Sequence, residues 1–277
     1  MSIYSEIKKK FIMRNAYEDW TEYRIFLTDI ILKLRGADNK KTVAIMGAGR
    51  CNDVDIHKLC AGFKEVKLVD CDSYAMGEAL KGLTNPEIWK MYVKEVSFTG
   101  IKEKDISVFC EETVSALRTA GRTLDTDGFS GIILDGLGRL RNKMTKSADE
   151  LAEKLPKSDI LVCNGVFSQL FSTISFFIRS CAASYNDFYE AADRADEILM
   201  QFSQKLVPVI TGAMLKSAGE YAIFCNEYSD VNPVEGACRC IETLRSENRI
   251  AEESKIIWHF NKAECINYEM LMQIVKI

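Results

Sequence analysis

A chain of 277 residues, 47% hydrophobic and 27% charged, has enough material for a substantial core and the composition of a soluble globular protein. Its 36 basic and 40 acidic side chains leave a formal net charge of -4, so nucleic acid is not an expected partner and a small-molecule or protein partner is. Ten scattered cysteines form no CxxC pair, and Cys238 and Cys240 lack the second half of a zinc site, which predicts free thiols, no metal and a reducing cytoplasm. The charged start MSIYSEIKKK does not read as a signal peptide.

Trp20, Tyr23, Leu27, Ile30, Ile31 and Leu34 recur at helical spacing, and Gly36 ends that run. This predicts a helical cap over residues 1–40 ahead of a main domain at 41–277. TVAIMG (42–47) reads as a strand, and a helix with Val54, Ile56, Leu59, Cys60 and Phe63 on one stripe follows the glycines. EVKLVDCD (65–72) is the second strand, SYAMGEALKGL (73–83) a helix, and KEVSFTGI (94–101) the third strand. Such alternation predicts a parallel sheet with helices on both faces.

An amphipathic helix is expected from about Asp105 to Ala120. Within 121–147, GIILDGL (131–137) reads as a short strand or a buried loop. SADELAEKL (147–155) is a helix and SDILVCNG (158–165) a strand. Ile160 to Ile178 carries no charge over nearly a membrane-spanning length, but Asn164-Gly165 is a turn signal that divides it into a strand and a helix, so no membrane partner is expected. Phe167, Phe171, Phe176 and Phe177 are then core residues. Helical periodicity runs from Asp187 to about Ser217, where Pro208 should kink or divide it. EYAIFCNEYS (220–229) is a strand, Pro233 precedes a helix to about Asn248, and KIIWHFN and EMLMQIVKI close the chain as two strands.

Gly47 and Gly49 occupy the first strand-to-helix turn, where backbone approaches a ligand most closely in an open α/β sheet. Asp70 ends the second strand 23 residues after Gly47, where nucleotide-binding α/β proteins place the carboxylate that grips ribose hydroxyls. Asp72 and Ser73 are better placed than Asp70 to cap the next helix. The dinucleotide fingerprint GxGxxG is incomplete, with Asn52 in the last glycine position. Asp53 and Asp55 add negative charge that repels a diphosphate and suits a ligand carrying sulfonium and ammonium groups. Asp53 reads equally as a helix cap.

On these residues the chain from about Lys41 to Ile277 resembles the class I S-adenosylmethionine-dependent methyltransferases. VAIMGAGRCND is similar to their first motif, KLVDCD to their ribose-binding strand end, SDILVCNGVFSQL to their fourth motif and the closing strand pair to their sixth and antiparallel seventh strands. The resemblance implies a doubly wound α/β fold with a mainly parallel sheet of about seven strands and an antiparallel last strand. It implies S-adenosyl-L-methionine as cofactor, held by Gly47, Ala48, Gly49, Asn52, Asp53, Asp70, Cys71, Asn164 and Gly165, with Arg24 and Tyr23 closing over it from the N-terminal helix. Asn164, Ser168 and Tyr23 are the catalytic candidates, and the acceptor is a small molecule or a peptide. Three departures stand out: Cys51 replaces a third glycine, no acid tips the third strand although Asp105 lies just beyond, and 121–147 is longer than the usual connection. Gly165-Val166 also replaces the prolines that follow asparagine in amino-group methyltransferases. An NAD(P)-dependent oxidoreductase and a non-catalytic nucleoside-binding protein are the alternatives; the oligomeric state is open.

Overall fold

Seven strands pair in the order β3-β2-β1-β4-β5-β7-β6. The computed structural model describes residues 2–185, 188–228 and 235–277. Helices α1 (Ile3–Lys10), α2 (Ala16–Asp19) and α3 (Thr21–Arg35) precede β1 (Thr42–Met46), α4 (Ile56–Gly62), β2 (Glu65–Asp70), α5 (Ser73–Leu80), α6 (Asn85–Ile88) and β3 (Met91–Glu95). Then come α7 (Glu103–Ala120), α8 (Thr126–Arg141), α9 (Ala148–Lys154), β4 (Ser158–Asn164), α10 (Ser172–Ser184) and α11 (Tyr189–Ser217). β5 (Ala218–Glu227), α12 (Glu235–Ser246), β6 (Ile250–Asn261) and β7 (Ile266–Lys276) complete the chain.

β1 to β5 run parallel, and β7 is antiparallel to both β5 and β6. This is the doubly wound fold of the class I methyltransferase type. The central strands are apolar because both faces are covered. Ala44, Met46, Leu161, Cys163 and Phe224 face the layer of α7, α8, α10 and α11, while Val43, Ile45, Ile160, Val162, Ile223 and Cys225 face α3 and α4. The chain runs outward from β1 to β2 and β3, then returns past β1 to β4 and β5. The carboxyl ends of β1 and β4 therefore flank the topological switch point, where an open α/β sheet leaves a crevice.

Three expectations need correction. The third strand is Met91–Glu95, not 94–101, because β2 ends at Asp70: Asp70 pairs with Glu95, and the last bond runs from the Val96 N–H to the Asp70 carbonyl. Val96 and Phe98 are buried beyond the strand, in a loop that turns at Gly100. GIILDGL lies within α8, neither strand nor loop. Asp125 caps that helix by accepting the Gly128 N–H at 2.8 Å, and Phe129, Ile133, Leu137 and Leu140 form its buried stripe. Gly136 is needed there, since a Cβ on it would lie 2.5 Å from the Phe109 ring of α7.

Of the two outcomes expected at Pro208, a kink or a division, the structure excludes the division. α11 is one continuous helix, and its packing against α8, α9, α10 and α12 outweighs the roughly 3 kcal/mol that an interior proline costs. By length and composition α11 is the one described helix apolar enough to cross a membrane; half of that stretch is buried against the rest of the fold. Asp187, Ser229 and Pro233, named in the sequence expectations, lie outside the described residues.

Candidate functional site

β1 ends in a turn whose backbone is left-handed at Gly47 (φ 70°), Gly49 (φ 47°) and Cys51 (φ 54°). Gly47 and Ala48 both donate to the Val69 carbonyl, at 2.8 and 3.2 Å, which draws the turn toward β2. Asp70 completes the link: its Oδ2 accepts the Gly49 N–H and its Oδ1 the Asp72 N–H, each at 2.9 Å. Burial raises the Asp70 carboxyl above its ordinary range, against the lowering effect of those two N–H groups. Asp72 caps α5 by accepting the Ala75 N–H at 3.0 Å, so Asp70 is not the cap. Cys71, between them, is exposed. Cys51 adopts the backbone conformation of the glycine it replaces, and its thiol is buried.

The two glycines differ. A Cβ on Gly47 would lie 2.4 Å from Val166 Cγ2, so the turn after β4 packs directly on the turn after β1. On Gly49 it would meet nothing closer than the Gly47 carbonyl at 4.0 Å.

Asp55, not Asp53, caps α4, accepting the Lys58 N–H at 3.0 Å. Asp53 instead joins a buried chain. Asn164 Nδ2 donates to Asp53 Oδ2 at 2.6 Å, and the Tyr23 hydroxyl donates to Asn164 Oδ1 at 2.5 Å. Burial raises Asp53; the Asn164 amide and the Arg24 charge draw it down. Burial likewise holds the Tyr23 hydroxyl far above its usual range. One asparagine at the end of β4 thus bridges the glycine loop and α3.

Arg24 is buried, so it is no surface residue, but its Nη1 donates to the Tyr17 carbonyl at 2.7 Å and the Asn52 carbonyl at 2.9 Å. Its guanidinium also lies 3.8 Å from the centre of the Tyr17 ring. It braces the loop through the Asn52 backbone, and its Nη2 lies 3.1 Å from the Thr21 hydroxyl. Helix α3 packs Leu27 and Ile31 on the sheet face, while its first turn brings Tyr23 to the strand ends.

Sequence reasoning missed Glu227, the last residue of β5. It is 8% exposed; Ser168 Oγ lies 2.7 Å from its Oε1 and 3.1 Å from the Gly165 carbonyl, while Oε2 has no partner among the described residues. Burial raises its carboxyl, and the Ser168 hydroxyl lowers it. The signal was present, because an acid ends an apolar strand here as Asp70 does in β2. Helix α1 was missed as well: Lys8 reaches Asp72 at 2.9 Å and Glu103 at 3.2 Å, tying the chain start to the end of β2.

With β3 ending at Glu95 an acid does close the third strand, contrary to expectation, and it is exposed; Asp105 accepts the Lys102 N–H at 3.1 Å at the start of α7. Phe167, Phe171 and Phe177 are buried in the core and Phe176 packs against it, as the sequence implied. Among the described residues no three His, Cys, Asp or Glu side chains converge as a metal set.

No family model matches the chain, and no curated protein matches it in sequence. Solved structures similar to it include the N-methyltransferase NodS of Bradyrhizobium japonicum with S-adenosyl-L-homocysteine, at 10% identity and TM-score 0.46, covering 100% of this chain and 98% of that one. A SAM-dependent methyltransferase of Aquifex aeolicus has 12% identity and TM-score 0.43, covering 99% and 98%. The precorrin-6y C5,15-methyltransferase of Geobacter metallireducens has 9% identity and TM-score 0.40, covering 91% and 87%. At these values none carries an argument about cofactor, acceptor or activity.

Proposed function

We propose that the chain is an S-adenosylmethionine-dependent methyltransferase acting on a small-molecule or peptide acceptor. Asp70 is the observation that carries this reading. It stands at the rim beside the glycine turn, half-buried, with one backbone N–H on each oxygen. A carboxylate has about four acceptor sites, of which the two N–H groups take two and the Cys71 thiol, a weak donor that a ribose hydroxyl can displace, a third, so both hydroxyls of a ribose can be accepted. Gly49 leaves the adjoining backbone bare. Asp53 and Asp55 make the start of α4 negative, which suits a cationic amino acid moiety better than a dinucleotide's diphosphate.

When bound, the cofactor supplies a methyl group on a positively charged sulfur. The chain's own residues would orient the partners and exclude water, which is most of what an in-line displacement needs. Asp70 would hold the ribose. Asn164, fixed by Asp53 and Tyr23, would set the turn that presents the acceptor, and Tyr23, stacked on Trp258 with ring centres 4.9 Å apart, would roof it. A second reading, a nucleoside-binding protein without turnover, is favoured by Val166, which lies against Gly47 and narrows the cleft between β1 and β4.

S-adenosylhomocysteine should raise the melting temperature while NAD and NADP do not, with a stabilisation of about 2.7 kcal/mol at a hundredfold excess over Kd. Asp70→Ala should remove most of that effect and remain folded. A dinucleotide-specific shift would overturn the reading. Nucleoside binding with no methyl transferred to any component of a cell extract would favour the second reading.

A further inference from the structure

Glu227 is a buried carboxylate with no cation among the described residues to balance it. Its Oε1 is engaged: the Ser168 hydroxyl has one proton, and the 2.7 Å contact to a carboxylate takes it in preference to the 3.1 Å contact to the Gly165 carbonyl. Among the described residues its Oε2 has no partner, and no lysine, arginine or histidine pairs with it. A buried charge left in this state is costly, and neither the fold nor the cofactor residues above give it a use.

Its position gives it one. Glu227 ends β5, beside the turn that follows β4, because Asn164 pairs with Cys225 and the Gly165 N–H donates to the Cys225 carbonyl at 2.9 Å. Gly165 is left-handed, with φ of 59°. A Cβ on it would lie 3.4 Å from Trp258 Cζ3 and 3.9 Å from Glu227 Oε1, so the bare glycine leaves a methyl-sized gap between an aromatic edge and a carboxylate. Tyr23 of α3, Tyr268 of β7 and the Cys163 thiol of β4, the titratable side chains that feel the Glu227 charge, add no positive charge.

We propose that Glu227, with Ser168, is the acceptor subsite and that the acceptor presents an amine to it, an inference that rests on the methyltransferase reading. An ammonium supplies the missing cation and a donor for Oε2. It has no lone pair, so before it accepts a methyl group one N–H bond must break, leaving its electron pair on nitrogen while the proton passes to Oε2. Glu227 therefore both holds the amine and takes up its proton. The unusual Asn-Gly-Val turn fits this reading, since the carboxylate supplies the recognition that the turn itself lacks.

The test is calorimetric binding to the full chain. S-adenosylhomocysteine is titrated first, then benzylamine, with benzyl alcohol as the neutral counterpart. Benzylamine should bind the parent protein at least about tenfold more tightly than benzyl alcohol, and Glu227→Gln should lower its affinity about 10- to 100-fold, the worth of a charge-assisted bond. Ser168→Ala should have a smaller effect in the same direction, and S-adenosylhomocysteine should bind all three proteins alike. Absence of benzylamine binding, equal binding of amine and alcohol, or undiminished amine binding by Glu227→Gln overturns the proposal. Failure of S-adenosylhomocysteine to bind the parent overturns the methyltransferase reading instead. If Glu227→Gln does not fold, the amine-to-alcohol comparison on the parent protein still decides.

Discussion

Gly47→Ala should damage this protein far more than Gly49→Ala, although both glycines lie in one turn and both have positive φ. A left-handed non-glycine residue costs roughly 1–2 kcal/mol, and both substitutions incur that. At Gly49 nothing is added, because the new methyl meets only a carbonyl at 4.0 Å. At Gly47 the methyl falls 2.4 Å from Val166 Cγ2, and valine is stiff about χ1, so the turns after β1 and β4 must separate or Val166 must leave its rotamer. Overpacking of this kind costs about 1–3 kcal/mol, which brings Gly47→Ala to about 2–5 kcal/mol. In a domain of this size each kcal/mol lowers Tm by roughly 2–4 °C, so thermal unfolding followed by circular dichroism resolves the difference. Val166→Ala in the Gly47→Ala background removes the clash and should recover the overpacking part, leaving a coupling of about 1–3 kcal/mol. Equal losses at the two glycines, or no recovery in the double variant, would refute the packing of Val166 on Gly47.

Tyr23→Phe leaves buried Asn164 Oδ1 without its donor and should cost about 1–3 kcal/mol, read by denaturant unfolding; an unchanged midpoint would break the bridge between α3 and β4. Burial raises the Glu227 carboxyl above its ordinary 4.5, so the folded state binds that proton more readily than the unfolded chain, and stability is lost as pH rises through the folded value. Glu227→Gln should accordingly be more stable than the parent near about pH 8, with the advantage fading as pH falls through the folded value and gone below about 4.5. Asp72 has the opposite sign: although burial opposes it, the Ala75 N–H and Lys8 hold its carboxyl below the ordinary 3.8, so its contribution is present above that value and is lost as pH falls through the lower folded one. Lys8→Met should cost no more than about 1 kcal/mol, fall in effect with added salt, and raise amide exchange in α1 selectively.

What could be read from the amino-acid sequence follows physical locality. TVAIM is an almost continuous apolar run because the central parallel strand is buried on both faces, and Val66, Leu68 and Val69 of EVKLVD are buried between half-buried charged residues; neither signal needs a partner to be read. β3 was displaced because its end is set by the length of β2, a fact about its neighbour. α8 was hidden by glycines at 131, 136 and 138, which lower helix propensity by about 1 kcal/mol each; the reason for Gly136 is Phe109, on another helix. Asp70 was legible by its spacing from a glycine turn. Glu227 has the same place on its strand but no such turn beside it in sequence, and its partner Ser168 is 59 residues away. Tyr23 and Asn164, separated by 141 residues, were each singled out, yet nothing local joined them.

The rim of the sheet now shows a consistent pattern. Asp53, Asp70 and Glu227 end or follow β1, β2 and β5, and burial pushes all three carboxyls upward. Arg24 is the one cation that offsets any of these shifts, and only at Asp53. Folding alone would be better served by neutral residues at these positions, because a buried carboxylate without a paired cation destabilises the native state at neutral pH. Carboxylates held at such a cost, and gathered where an open α/β sheet binds its ligands, are a mark of ligand binding. On the proposed function, three acids on one rim would select the charge of their ligands: a ribose diol for Asp70 and positive nitrogen or sulfur for the others would satisfy all of them, whereas an anionic dinucleotide would satisfy one.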